Sequence, residues 1–143
     1  MNQEKLICSV CGKGELVLKK SPWTYRYKGQ DFTLEDIEYC DCPACHYELI
    51  MPDQRKRNEA RIRDEHRKID GMFTRVEIVR SRERLKITQS QAAQIFGDTA
   101  KAFSKYENGE STQSLAMDKL MKLALNVPHC FEELRKMANV QVG

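Results

Sequence analysis

No stretch of the 143 residues approaches the roughly 18 consecutive apolar side chains of a membrane-spanning helix. The first residues carry no apolar run of the signal-peptide kind, so a soluble, cytoplasmic protein with no membrane contact is expected. There is no internal repeat and no low-complexity tract, and the length suits two small domains or one of medium size. Cysteine is almost missing from the last two thirds, where only Cys130 stands, while Cys8, Cys11, Cys40, Cys42 and Cys45 crowd the first third. In a reducing cytoplasm such clustering argues for metal rather than disulfides.

The net charge of +3 says little until the chain is divided after Gln54. Residues 1–54 hold six Lys/Arg against nine Asp/Glu, net −3, and residues 55–143 hold eighteen against twelve, net +6. An acidic front and a basic back suggest two tasks.

Residues 6–50 read as short β segments, "GELVLKK", "WTYRYKG", "DFTLEDIEY" and "HYELIM", with a turn at Lys28-Gly29-Gln30. Over 53–71 apolar residues are sparse (Ala60, Ile62, Ile69), which predicts a solvated linker helix ending near Gly71. Its basic run Arg55-Lys56-Arg57 could touch phosphate, although a charge run is usually only a solvated face. From Met72 five helices are expected. The first reaches Leu85, with Val76, Val79 and Arg80 facing inward. Thr88 and Gln91 form a capping box opening the second, which buries Ala92, Ile95 and Phe96 and ends at Gly97. Thr99 caps the third, closed by Gly109. The fourth runs from about Ser114 to Asn126 with Leu120, Leu123 and Ala124 at helical spacing. Pro128 starts a fifth carrying Phe131, Leu134 and Met137.

Cys8-Ser-Val-Cys11 and Cys42-Pro-Ala-Cys45 are two C-x-x-C clips. Two residues between thiolates let a tight turn place both sulfurs on one ion, and four thiolates fill the tetrahedral sphere of zinc. One structural Zn²⁺ on Cys8, Cys11, Cys42 and Cys45 is therefore expected, contributing folding free energy to a segment too small for a firm core. Cys40 stays open as an alternate ligand, although Cys40-Asp-Cys42 is short for a knuckle turn. His46 is a weaker substitute, since four cysteines suffice.

Residues 88–109 have the dimensions of a helix-turn-helix that enters the DNA major groove. The capped start at Thr88 and the neighbouring Gln89 can meet a phosphate. On the second helix, begun by Thr99, Ala102, Phe103 and Tyr106 face the core, leaving Ala100, Lys101, Ser104 and Lys105 outward. The expected DNA-binding residues are Thr88, Gln89, Thr99, Lys101, Ser104 and Lys105. The plainer alternative is a helical bundle with surface lysines.

The order of these parts, with "CSVCGKGEL", "YRYKGQDFTLEDIEYCDCPACHYELIM" and "LKITQSQAAQIFGDTAKAFSKYENG", resembles the MqsA family of type II antitoxins over roughly Ile7 to Leu134. The resemblance implies two domains: a small β-rich zinc domain with four cysteine ligands and an all-α five-helix helix-turn-helix domain. Residues 1–52 would bind and mask a toxin, usually an mRNA-cleaving ribonuclease. Residues 53–71 would be a hinge, and 72–143 would bind DNA and join a homodimer that represses its own operon. The zinc ligands carry over to the same four cysteines. The family's base-reading Asn and Arg fall on Lys101 and Lys105, and lysine replaces neither faithfully, so the operator sequence does not carry over from the family. A stand-alone zinc- or redox-responsive repressor, with Cys40 as its switch, is the alternative. An enzyme is not expected: metal-bound thiolates leave only Cys40 and Cys130 as nucleophiles, with no base placed near either.

Overall fold

A computed structural model describes residues 5–142, and the chain divides between Ile62 and Arg63 into two compact units. In the first unit β1 (Val17–Tyr27), β2 (Gln30–Asp41) and the short β3 (Glu48–Leu49) form an antiparallel sheet in the order β1-β2-β3. The β1–β2 turn is two residues long. Lys28 (φ 48°) and Gly29 (φ 77°) both take the left-handed conformation, whose twist matches that of the strands it joins. Tyr25 stacks on Phe32 across the hairpin, with ring centroids 5.5 Å apart.

Pro22 interrupts β1, because it has no N–H to give the ladder. The pairing slips there: Ser21 opposes Ile37 and Trp23 opposes Leu34, so Glu35 and Asp36 bulge from β2 with Asp36 at φ 58°. Arg61, on α1 (Pro52–Ile69), donates to the bulge carbonyls of Glu35 (2.5 Å) and Asp36 (3.1 Å). Asn58 clamps Glu38 like a short strand: its Oδ1 accepts the Glu38 N–H at 3.0 Å, and its Nδ2 donates to the Glu38 carbonyl at 2.9 Å. Gln54 Oε1 accepts the Met51 N–H at 2.9 Å.

The helix expected over 53–71 thus forms, but its solvated character needs correction. Gln54, Asn58, Ala60 and Arg67 are buried. A search for an apolar stripe misses this helix because amides and guanidinium groups dock it. Backbone groups freed by a bulge or strand end need partners, and these side chains supply them.

In the second unit the five helices expected after residue 72 are present as α2 (Arg75–Arg84), α3 (Gln89–Phe96), α4 (Ala100–Asn108), α5 (Leu115–Asn126) and α6 (Cys130–Met137). With α1 the described chain has six. Ile78, Ile87, Ala92, Ala93, Ile95, Phe96, Phe103, Met117, Met121, Ala124 and Val140 make the core. Three inward assignments change. On α2 the buried residues are Ile78 and Ser81, whereas Val76 is exposed and Val79 and Arg80 do not join them. Thr74 caps this helix through a box with Glu77, which fixes its start and so its rotation. On α5 Met117, Asp118, Met121 and Ala124 are buried, while Leu123 is exposed. The last helix begins at Cys130, after His129 in a left-handed cap, and Met137 is 81% exposed. Phe131 and Leu134 do pack on the core.

Arg67 is wholly buried and organises the polar interior of this unit. Its Nε donates to Gln113 Oε1 (3.0 Å), its Nη1 to Asp64 Oδ1 (2.9 Å), and its Nη2 to the carbonyls of Ser111 (2.7 Å) and Tyr106 (3.3 Å). Arg63 donates to the carbonyl of Gly109 at 2.9 Å. The end of α4 and the loop behind it are therefore held by α1 residues. Removing one partner of such a buried charge network is costly. Arg67→Ala is expected to lower the unfolding free energy by about 3–5 kcal/mol, measured by denaturant titration. A loss below about 1 kcal/mol would contradict this role.

Candidate metal centre and nucleic-acid interface

The two clips are built alike. In the first, the Gly12 N–H donates to the Cys8 carbonyl (2.8 Å) and Gly12 takes φ 67°. In the second, the His46 N–H donates to the Cys42 carbonyl (2.7 Å) and His46 takes φ 63°. Each chain turns back left-handedly straight after its second cysteine. The first cysteines are fixed by Cys8 N–H to Gly14 O (2.8 Å) and Cys42 N–H to Tyr47 O (3.0 Å).

Four sulfurs converge in consequence, all within 4.8 Å of one another. Cys8 Sγ lies 3.7 Å from Cys45 Sγ, and Cys11 Sγ lies 3.6 Å from Cys42 Sγ. A zinc–sulfur bond of about 2.3 Å in a regular tetrahedron implies sulfur separations of about 3.8 Å, so the donor set fits Zn²⁺. Electrostatics point the same way. Backbone N–H groups of Gly14 and Lys13 draw the Cys11 thiol down to a pKa of about 6. The Tyr47 N–H favours the Cys45 thiolate too, but burial and the three neighbouring sulfurs push that thiol up to about 12. Four crowded sulfurs resist shared ionisation unless a cation balances them.

Cys40 and His46 lie outside this set. Cys40 is buried on β2 and its Sγ faces Gln54 Oε1 at 3.6 Å, while His46 is the exposed turn residue. Gly14 is the residue sequence reasoning missed. A Cβ there would overlap Cys42 Sγ, and its N–H reaches Cys11 Sγ at 3.4 Å. The only signal was a second glycine two residues after the first clip's turn.

In the helical unit Thr88 caps α3, with both bonds of its box to Gln91 formed. Gln89 is the half-buried first residue of that helix. Gly97 (φ 81°) closes α3, and the Thr99 side chain accepts the Ala102 N–H to open α4. Phe103 is buried and Ala102 and Tyr106 are half-buried, as the helical spacing predicted. Lys101 is exposed, and Ser104 and Lys105 are half-buried. Thr99, Lys101 and Lys105 line an open cleft of about 430 Å³ with Ala102, Tyr106, Ser111 and Thr112. Thr88, Gln89 and Ser104 do not line it. Ser111 and Thr112, from the loop after α4, were not singled out in the sequence.

The turn is braced from inside. Tyr106 Oη donates to Asp98 Oδ2 at 2.6 Å, while Asp98 Oδ1 accepts the Thr99 N–H at 2.8 Å. Arg82 grips Glu107 at 2.9 Å and donates to the Ile87 carbonyl at 3.1 Å, fixing α4 against α2.

Residues 6–135 match the sequence profile described as the antitoxin component of bacterial toxin-antitoxin system, MqsA. The chain belongs to the MqsA antitoxin family. Antitoxin MqsA of Escherichia coli (strain K12) is 29% identical over 131 residues, which are 90% of this chain and 98% of that protein. A solved structure of the N-terminal domain of E. coli MqsA covers 46% of this chain and 98% of its own, at 20% identity and a TM-score of 0.34. Membership in the MqsA family agrees with the four-cysteine cluster and with the order of a small sheet before the helices. No described helix is long and apolar enough to cross a membrane.

Two outcomes test these sites. Cys42→Ser should release most bound zinc, counted by a chromogenic chelator, and melt the sheet signals in NMR while the α3–α4 signals persist; full stoichiometry would exclude Cys42 as a ligand. Burial, the bond to Asp98 and the charge of Asp98 raise the Tyr106 phenol to about 12. The folded state then holds a proton that the unfolded chain releases near pH 10. This contribution is intact below pH 10 and fades as pH rises towards 12. Tyr106→Phe should flatten stability across that window.

Proposed function

We propose that the protein is a regulator without catalytic activity, an antitoxin that neutralises its cognate toxin by direct binding and represses its own operon as a DNA-bound homodimer. Membership in the antitoxin family supports the toxin as partner, and the family resemblance favours an mRNA-cleaving one. The unit containing the four cysteines meets the toxin. Zn²⁺ on Cys8, Cys11, Cys42 and Cys45 is structural, because four thiolates leave no position for water or substrate. The metal holds the clips together, and the sheet presents the binding surface.

The helical unit binds double-stranded operator DNA. One observation carries this reading: α4, braced at both ends, offers Lys101 and Lys105 one turn apart in a polar cleft. The edge of α4 that carries Lys101 and Lys105 enters a major groove, with the capped start of α3 and Gln89 towards the phosphates. The burial of Cys40 disfavours a thiol switch accessible to oxidants.

Co-expression with the adjacent reading frame tests the toxin half: growth arrest by the neighbour alone and recovery with this protein are expected. Gel shift with the DNA upstream of its own reading frame tests the other half. Affinity should fall steeply and linearly on a log–log salt plot, and Lys101→Ala with Lys105→Ala should weaken binding at least tenfold, roughly the loss of one good base contact. A flat salt plot would remove DNA binding from the proposal.

A further inference from the structure

The reading edge of α4 is chemically one-sided. Lys101 and Lys105 can only donate hydrogen bonds. The carboxylate, amide and phenol groups of α4, which could accept, are already engaged within the fold. Glu107 is held by Arg82, through contacts of 2.9–3.3 Å. Asn108 spends both ends of its amide on Glu110: Oδ1 accepts the Glu110 N–H at 2.9 Å, and Nδ2 donates to Glu110 Oε1 at 3.3 Å. The Tyr106 hydroxyl is committed to Asp98 at 2.6 Å. The cleft contains no Asn, Gln, Asp or Glu; its remaining polar groups are the hydroxyls of Thr99, Ser111 and Thr112.

Base chemistry converts this into a preference. Adenine is specified by an amide that accepts from N6 while donating to N7, and cytosine by a carboxylate that accepts from N4. Neither tool is free on this edge. Guanine presents two acceptors, N7 and O6, side by side in the major groove, and an ammonium group can serve both. Four residues along a helix advance about 6 Å, less than two steps of about 3.4 Å along a DNA strand. Resting on the operator-binding reading, we infer that Lys101 and Lys105 read guanines at two neighbouring base pairs of each half-site through N7 and O6, so the operator is guanine-marked where this helix docks.

The test uses the full-length, zinc-loaded protein and the DNA upstream of its reading frame. Guanine N7 is methylated with dimethyl sulfate for interference mapping, then replaced position by position with 7-deazaguanine, which keeps base pairing and removes the acceptor. Two neighbouring guanine positions in each half-site should block binding when methylated, and each 7-deaza replacement should cost on the order of tenfold in affinity. Lys101→Met should erase the penalty at one position and Lys105→Met at the other, since the variants no longer distinguish the modified base. Salt-sensitive binding that ignores N7 replacement at every guanine would put both lysines on phosphates and overturn the inference while leaving operator binding intact. Penalties at 7-deazaadenine instead would overturn it equally. No shift with any of this DNA would overturn the operator-binding reading and the guanine inference together.

Discussion

The constraint on which both units depend is the obligation of buried backbone groups to find hydrogen-bond partners. Regular helices and ladders meet it by themselves. This chain departs from regularity at three places: the bulge opposite Pro22, the unpaired edge of β2 at Glu38, and the loop following α4. At each, a side chain of α1 supplies the missing partner: Arg61 at the bulge, Asn58 at Glu38, and Arg67 with Arg63 behind α4. Apolar burial then fills what these bonds have positioned, most fully in the cluster around Ile78, Phe96, Phe103 and Met121. Each unit is thus specified by directional polar contacts as much as by its core.

The same demand for partners decides which side chains of α4 are left to face outward. Glu107 and Tyr106 lie on α4 yet are consumed in bracing it, and the Asn108 amide is bonded to Glu110. Of the charged side chains of α4, Lys101 and Lys105 remain. The precision of the edge comes from the braces and its chemistry from the two lysines left over. Aromatic contacts of Phe103 with Phe96 (6.1 Å) and Tyr106 (5.6 Å) keep the helix from rolling about its axis.

Much of this was legible in the sequence where a local rule governs the outcome. C-x-x-C spacing marked the four converging cysteines, Thr88 and Gln91 marked a capping box, and Gly97 and Gly109 marked left-handed helix ends. Lys28-Gly29 marked the hairpin. Legibility failed where long-range partners decide. The polar face of α1 looks solvated in sequence because nothing local announces that Asn58 will meet Glu38 or Arg67 will meet Gln113. The inward face of α2 was misassigned because Val76 and Val79 are more apolar than Ser81. Yet Ser81 can bury by returning its hydroxyl to the Glu77 carbonyl at 2.7 Å. Gly14 was missed since its importance lies in an approach by Cys42 from a distant segment.

The two clips also bear on the lifetime of the protein. A metal shared between Cys11 and Cys42 would act as a reversible cross-link, closing a loop of about thirty residues whose entropy in the unfolded chain is worth roughly 3–4 kcal/mol on the scale used for disulfides. Unlike a disulfide, the link is broken by chelation without any change of redox state. Local opening of the sheet would then depend on whether the metal is bound. With zinc on these cysteines as proposed, losing the metal would remove the cross-link and leave this small sheet the part of the chain most open to proteolysis.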